Sequence, residues 1–326
     1  MSTEASAETP PDAHPDAPVG NPPGISAGNP PDASSGAPAV HAPRRGGVVW
    51  RYFGDTRGFL TAPQLLLLQV AHPVVGAGVA DHSAFRAEPW QRLIRTVGSL
   101  STVIYGGQAA ATAEARRLID VHRPMKGVDA QGRRYHALHP EAYHWVHATL
   151  VRGPVDALRL FGKGLTAAET EEYYREMRDV GRIWGLKGHH LPPDWASFCA
   201  YYDDMVAERL EMNRSVQDVL DELAHPQKPP VWWVPAPLWR PFAAVAAHYA
   251  LLVTIGVLPP VLRTRLGLAW TAKQERRLRR FARLVRCLMA LVPPPLRIAP
   301  AMFMAYWNTH RPGADPRTRR PPGAAV

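Results

Sequence analysis

The sequence predicts an all-α protein. Apolar residues recur at helical spacing through most of the interval from Trp50 to Thr309. Several of these runs open on helix-start signals, and no alternating run is long enough to suggest a sheet. The organisation expected is a single multi-helix domain over residues 46–310, between a Pro/Ala-rich disordered tail at 1–45 and a disordered basic tail at 311–326.

Each element has its own reason. Residues 1–43 are rich in Pro, Ala, Gly and Ser, and such a composition buries too little apolar surface to offset its ordering entropy. "EPWQRLIRTVGSLSTVIYG" sets Leu93, Val97, Leu100 and Ile104 on one stripe, and Glu88-Pro89 suits a helix start. "AATAEARRLIDVH" places Ala111, Ala115, Leu118, Ile119 and His122 on one face and stops at Pro124 and Gly127. Further helices are expected at 140–161, 166–186, 194–224, 236–256, 271–291 and 299–309. Thr166 and Glu169 form a capping-box pattern at one of these starts.

Two segments raise the question of a membrane. Residues 242–262, "FAAVAAHYALLVTIGVLPPVL", imitate a span, but His248, Gly256 and Pro259-Pro260 interrupt the apolar run, so a buried core helix is expected. "KQERRLRRFARLVRCLMALVPPPLR" sets Leu278, Phe281, Leu284, Val285, Leu288 and Met289 against Arg276, Arg279, Arg280, Arg283 and Arg286. This is a basic amphipathic helix, suited to a core-packed surface helix or to weak peripheral membrane contact.

Charge and cysteine content narrow the function classes. The formal net charge is +10, and residues 1–43 carry five acidic groups with no Lys or Arg, so the remainder is more basic still. That suits an anionic surface, but no aromatic stacking platform or recognition motif points to nucleic acid. Cys199 and Cys287 allow neither a disulfide framework nor a four-thiolate metal site. With no signal-peptide pattern at the N-terminus, a cytoplasmic setting is expected.

"YHALHPEAYHWVHATL" holds His136, His139, His144 and His147, and histidines in pairs can ligate a metal. Yet Trp145 follows His144 where a zincin has its glutamate, so a zinc site stands beside the plainer reading of packed, hydrogen-bonded histidines. On the earlier helices Arg92 and Thr96 flank the Leu93/Val97/Leu100 stripe, while Arg95 points away from it. His122 occupies the apolar face of the last turn of its helix.

Taken together, "GDTRGFLTAPQLLLLQVAHPVVGAGVADHSAFRAEPWQRLIRTVGSL", "RLIDVHRPMKG", "YHWVHATLV" and "LRTRLGLAW" resemble the latex-clearing-protein and MpaB-type oxygenase family. The resemblance covers about residues 48–305. It implies an all-α fold with a haem b between helices and, in the rubber oxygenase, cleavage of carbon–carbon double bonds with O2. It further implies His122 as the iron's axial ligand and Arg92 and Thr96 as residues facing the haem or its distal side. His147 would be a pocket residue or a support for one, and His136, His139 and His144 would be incidental.

The chain departs from that pattern in two places. Arg95 stands where the rubber oxygenase has a distal lysine, and an arginine cannot copy a lysine ligand. Asp81 is the sole acid near the expected place of that enzyme's catalytic glutamate. These departures argue against polyisoprene and leave a haem-dependent oxygenase acting with O2 on an apolar, isoprenoid or lipid-like molecule. A haem or lipid carrier or sensor without turnover is the alternative. Oligomeric state is not readable.

Overall fold

The histidine–proline pair at 72–73 makes the sharpest corner of the chain. Helix α2 (Thr56–Ala71) ends there because the residue before a proline is driven out of the helical region, and His72 is extended, with ψ 128°. Helix α3 (Pro73–His82) leaves at 101° to α2. The start of α2 is equally well defined. The Asp55 carboxylate accepts from the Arg57 amide at 3.0 Å and from its guanidinium at 2.7 and 2.6 Å.

The computed structural model describes residues 40–82, 88–229 and 235–298. Most of the N-terminal tail, the C-terminal tail, the expected helix at 299–309 and Ser83 lie outside them. Of the tail drawn from composition, Ala42 and Pro43 are described and buried, and the Ala42 amide donates to Gln108 Oε1 at 2.7 Å.

Among the described residues the fold is all-α, with twelve helices and one small hairpin. A short α1 (Val48–Tyr52) precedes α2, and its Val49 amide donates to the buried Glu176 carboxylate at 2.8 Å. Helices α4 (Pro89–Tyr105) and α5 (Gly107–His122) form an antiparallel pair. Strands β1 (Lys126–Val128) and β2 (Arg134–His136) pair antiparallel, with Gly127 opposite Tyr135. Three-residue strands are too short to leave a detectable alternation.

Helix α6 (Pro140–Phe161) is the central element and matches the expected span. It packs on α2, whose "LLLL" run offers apolar surface on every side. Trp145 Nε1 donates to the Leu68 carbonyl at 2.9 Å and Gln69 to Thr149 at 2.9 Å. Helix α7 (Ala167–Ile183) opens with the expected Thr166–Glu169 capping box.

The helix expected at 194–224 is two: α8 (Trp195–Glu208) and α9 (Arg214–Ala224). Asn213 makes the break by accepting from the Val216 amide at 3.0 Å, which caps α9 as a separate helix. Its Nδ2 meanwhile donates to the Val70 carbonyl at 2.8 Å, tying α9 to the end of α2.

Helix α10 (Ala236–Val257) ends at Leu258 before Pro259-Pro260, as its prolines imply, and α11 (Pro260–Arg265) leads to α12 (Ala272–Leu291). No single described helix is long and apolar enough to cross a membrane. The core reading of 242–262 holds for Leu252, Val253, Leu258 and Leu262, which are buried, and not for Phe242 and Val245, which are exposed. On α12, Leu278, Phe281, Ala282 and Val285 pack against Phe161, Leu252 and Val253. Leu284 and Leu288, expected on that face, are exposed because they lie about 80–120° around the helix from Leu278.

Candidate functional site

Two glycines set up the site by letting α4 fold back on α5. Gly107 takes φ +77°, and a Cβ on Gly106 would lie 2.4 Å from the Thr102 carbonyl oxygen, so the turn tolerates little else. The register follows from Ser99 Oγ, which donates to Glu114 Oε1 at 2.5 Å. Arg117 grips the same carboxylate at 2.8 and 2.6 Å and, with Ser99, holds it below the usual carboxylate range against burial. Seven residues back from Ser99 is Arg92, and seven on from Glu114 is Val121. Arg92 and His122 therefore stand at the same, open end of the helix pair.

His122 is half-buried. Its Nδ1 lies 2.6 Å from the Leu118 carbonyl oxygen one turn earlier. A carbonyl only accepts, so Nδ1 carries the proton and Nε2 carries the lone pair. Burial lowers the ring's pKa, opposed by the Leu118 bond, and Arg117 lowers it further, which favours the neutral imidazole. The ring meets Tyr143 of α6 edge-on at 6.2 Å.

Arg92 is half-buried and its guanidinium is lowered by burial and by Arg95. Thr96 is exposed and its hydroxyl donates to the Arg92 carbonyl at 2.9 Å within α4. Arg95 is exposed, as its position opposite the stripe implied. Of the stripe, Val97 and Ile104 are buried and Leu100 is half-buried. Leu93, Ile94 and Val121 are exposed, leaving apolar surface at the same end of the pair as His122 and Arg92.

His147 sits deeper. It is buried, its Nε2 lies 2.8 Å from the Met177 carbonyl oxygen, and Trp184 meets it edge-on at 5.8 Å. Burial pushes its pKa down to about 4, and its Nδ1 has no hydrogen-bond partner among the described residues. Among the described residues no contact joins it to His122; Tyr143, which meets the His122 ring, stands one turn earlier on α6. Of the four histidines of 136–147, His144 and His147 stack at 6.4 Å. His136 Nε2 faces the Arg123 carbonyl at 3.2 Å, His139 holds the N-cap position of α6 without a side-chain capping bond, and His144 stacks on Tyr201 at 4.3 Å. Among the described residues, no three His, Cys, Asp or Glu side chains are grouped to hold a metal ion together.

Sequence reasoning missed the hairpin's part in the site. The Met125 amide bonds the His122 carbonyl (3.0 Å), and the Ala137 amide bonds the Met125 carbonyl (2.9 Å), so β1–β2 is fastened to the end of α5. Tyr135 of β2 donates its hydroxyl to Asp81 Oδ2 at 2.5 Å, and His82 Nε2 lies 3.1 Å from the Tyr135 hydroxyl oxygen. The phenol has one proton and gives it to Asp81, so His82 is the donor to the phenol. Burial and Asp81 push the Tyr135 pKa up to about 12. Asp81 is therefore engaged in holding α3 to the hairpin. Tyr143 was also missed; its place one turn before His147 was the available signal.

A family profile described as ER-bound oxygenase mpaB/B′/rubber oxygenase, catalytic domain, matches residues 50–287, which includes the whole α4–α5 pair and α6. Two uncharacterized proteins, of Mycobacterium bovis and Mycobacterium tuberculosis, are each 28% identical over 233 residues, covering 70% of this chain and 87% of the relative. No solved structure matches. The chain belongs to the mpaB/rubber-oxygenase catalytic-domain family, a family of oxygenases, with His122 and Arg92 inside the matched region.

Proposed function

We propose that this protein is a haem b-dependent oxygenase acting with O2 on an apolar small molecule of isoprenoid or lipid-like character. The observation that carries the reading is the state of His122. Its Nδ1 proton is committed to the Leu118 carbonyl, which leaves a neutral imidazole whose Nε2 lone pair would be available to hold the haem iron.

The surroundings support the same group. Leu93, Ile94 and Val121 offer uncovered apolar surface suited to a porphyrin face, and Arg92 at the same end offers a cation for a propionate. Haem b, when bound, supplies the oxygen and redox chemistry that no side chain here provides.

The chain's own part is binding and orientation. Leu118 fixes the tautomer of His122, and Tyr143 fixes the ring's edge. Arg92 would pair with an acidic group of the ligand, and Arg95 is an exposed charged residue three positions on from it. Thr96 is placed to present its hydroxyl only if it leaves the Arg92 carbonyl it now bonds, so its role is secondary to that of Arg92. His147 supports the α6–α7 packing behind Tyr143.

The test is an absorption spectrum of protein produced with ample haem, wild type beside His122→Ala. A Soret band lost or sharply shifted in the variant, with helical circular dichroism retained, is expected. A colourless wild type, or an unchanged spectrum in the variant, would overturn the assignment.

A further inference from the structure

Helices α10 and α12 run antiparallel. Tyr249 lies against Phe281 at 4.7 Å, Arg277 Nη1 reaches His248 Nε2 at 2.8 Å, and a Cβ on Gly256 would meet Trp270 and Leu278. Moving back along α10 from Tyr249 thus moves forward along α12 from Phe281. Phe242 and Val245 come level with Leu284 and Leu288, and all four are exposed, as is Leu291 at 81%.

The same face of α12 changes character along its length. At 100° per residue, Lys273, Arg277 and Arg280 fall within one arc of about 80° with Leu284, Leu288 and Leu291. Lys273, Arg276, Arg277 and Arg280 line an open recess of about 300 Å³, and among the described residues no acidic side chain lines it. The Glu275 carboxylate is taken by Arg279 at 2.7 Å and by Trp270 Nε1 at 3.0 Å. A cationic recess therefore adjoins, within two turns, a cluster of exposed leucines and a phenylalanine.

We infer that this α10–α12 face docks the protein on an anionic lipid bilayer. The cations of the recess take lipid phosphates, while Leu284, Leu288, Leu291 and Phe242 enter the acyl boundary. Both halves of the face match that one partner. A second copy matches it poorly: two-fold pairing sets the cations against each other or desolvates them on leucine. The chain's own residues 299–326 carry four arginines against one aspartate, a like charge to the recess. A nucleic-acid duplex would answer the cations and leave the leucines without a partner. The inference is independent of the haem assignment.

The test is sedimentation of the full chain with vesicles of phosphatidylcholine alone and of phosphatidylcholine with equimolar phosphatidylglycerol. Binding to the anionic vesicles only, released by high salt, is expected. Arg276→Glu with Arg280→Glu should weaken it at least tenfold, and Leu288→Ser with Leu291→Ser severalfold with the salt dependence retained. Unchanged circular dichroism checks the fold, and Arg276→Gln with Arg280→Gln replaces the charge reversal if it misfolds. Absence of binding to the anionic vesicles, equal binding to both, or binding indifferent to either pair of substitutions would overturn the inference. So would a parent dimer in sedimentation that Leu288→Ser with Leu291→Ser dissociates.

Discussion

His122 Nδ1 and the Leu118 carbonyl oxygen lie 2.6 Å apart, one turn from each other on α5, and this contact fixes which nitrogen of the imidazole is available. A helix C-terminus ordinarily favours imidazolium. Here burial outweighs it and lowers the pKa. Haem retention should therefore persist through mildly acidic solution. It should be lost in His122→Ala and partly restored by added imidazole, read by absorption spectroscopy.

Arg92 gives the next prediction. Arg92→Ala should weaken haem retention by about tenfold, the equivalent of one charge-assisted hydrogen bond of roughly 1.5 kcal/mol, with the axial-ligand spectrum unchanged. Arg92→Lys should fall between, because it keeps the charge and loses the fork. Titration of the haem-free protein with haem separates these outcomes.

The pH dependence of stability should be dominated by two rings remote from the ligand. Burial pushes His144 down to about 3, with His147 and His190 adding to it, and pushes His147 down to about 4. In the unfolded chain both titrate near the ordinary histidine value, about 6.5. Above that pH neither state is protonated and the full stability is present. Below it the unfolded chain takes up protons that the fold resists, so stability falls toward pH 4 by up to about 1.4 kcal/mol per pH unit for each ring. His144→Phe keeps the stack on Tyr201 and should give a shallower acid limb of melting temperature against pH.

Gly76 should tolerate no side chain. A Cβ there would lie 2.5 Å from both the Val70 carbonyl oxygen and Asn213 Nδ2, which are hydrogen-bonded to each other, and its own carbonyl accepts from Ser215 at 2.7 Å. Gly76→Ala should cost about 2–3 kcal/mol, because backbone and a cap must shift together. Chemical denaturation would measure it.

Deletion of residues 1–39 should leave the melting temperature within a few degrees, by the composition argument. Deletion through Pro43 should lower it further, since Ala42 and Pro43 are buried and Ala42 bonds Gln108. Equal melting temperatures for the two deletions would contradict this.

By itself the sequence determined the features with a local cause. Pro140 and the run behind it define α6, Thr166 with Glu169 defines the start of α7, and the stripe over Ala111, Ala115, Leu118, Ile119 and His122 gives the inward side of α5, buried at Ala111 and Ala115 and half-buried at the other three. His122 and Arg92 were legible as candidates through the family resemblance, and their shared end of the α4–α5 pair through the tertiary register alone.

Only the tertiary structure decided the rest, because it turned on contacts between distant residues. Helices α2 and α3 carry apolar residues on nearly every side, so no period marks them, and although His72-Pro73 makes their corner, α9 is fastened beside it only where Asn213 meets Val70. Asp81 reads as a free acid until Tyr135, fifty-four residues on, donates to it. On α12 two apolar stripes lie side by side at helical spacing. The one that α10 and α6 cover became core, and Leu284 and Leu288 were left at the surface, a choice that no periodicity within one helix contains.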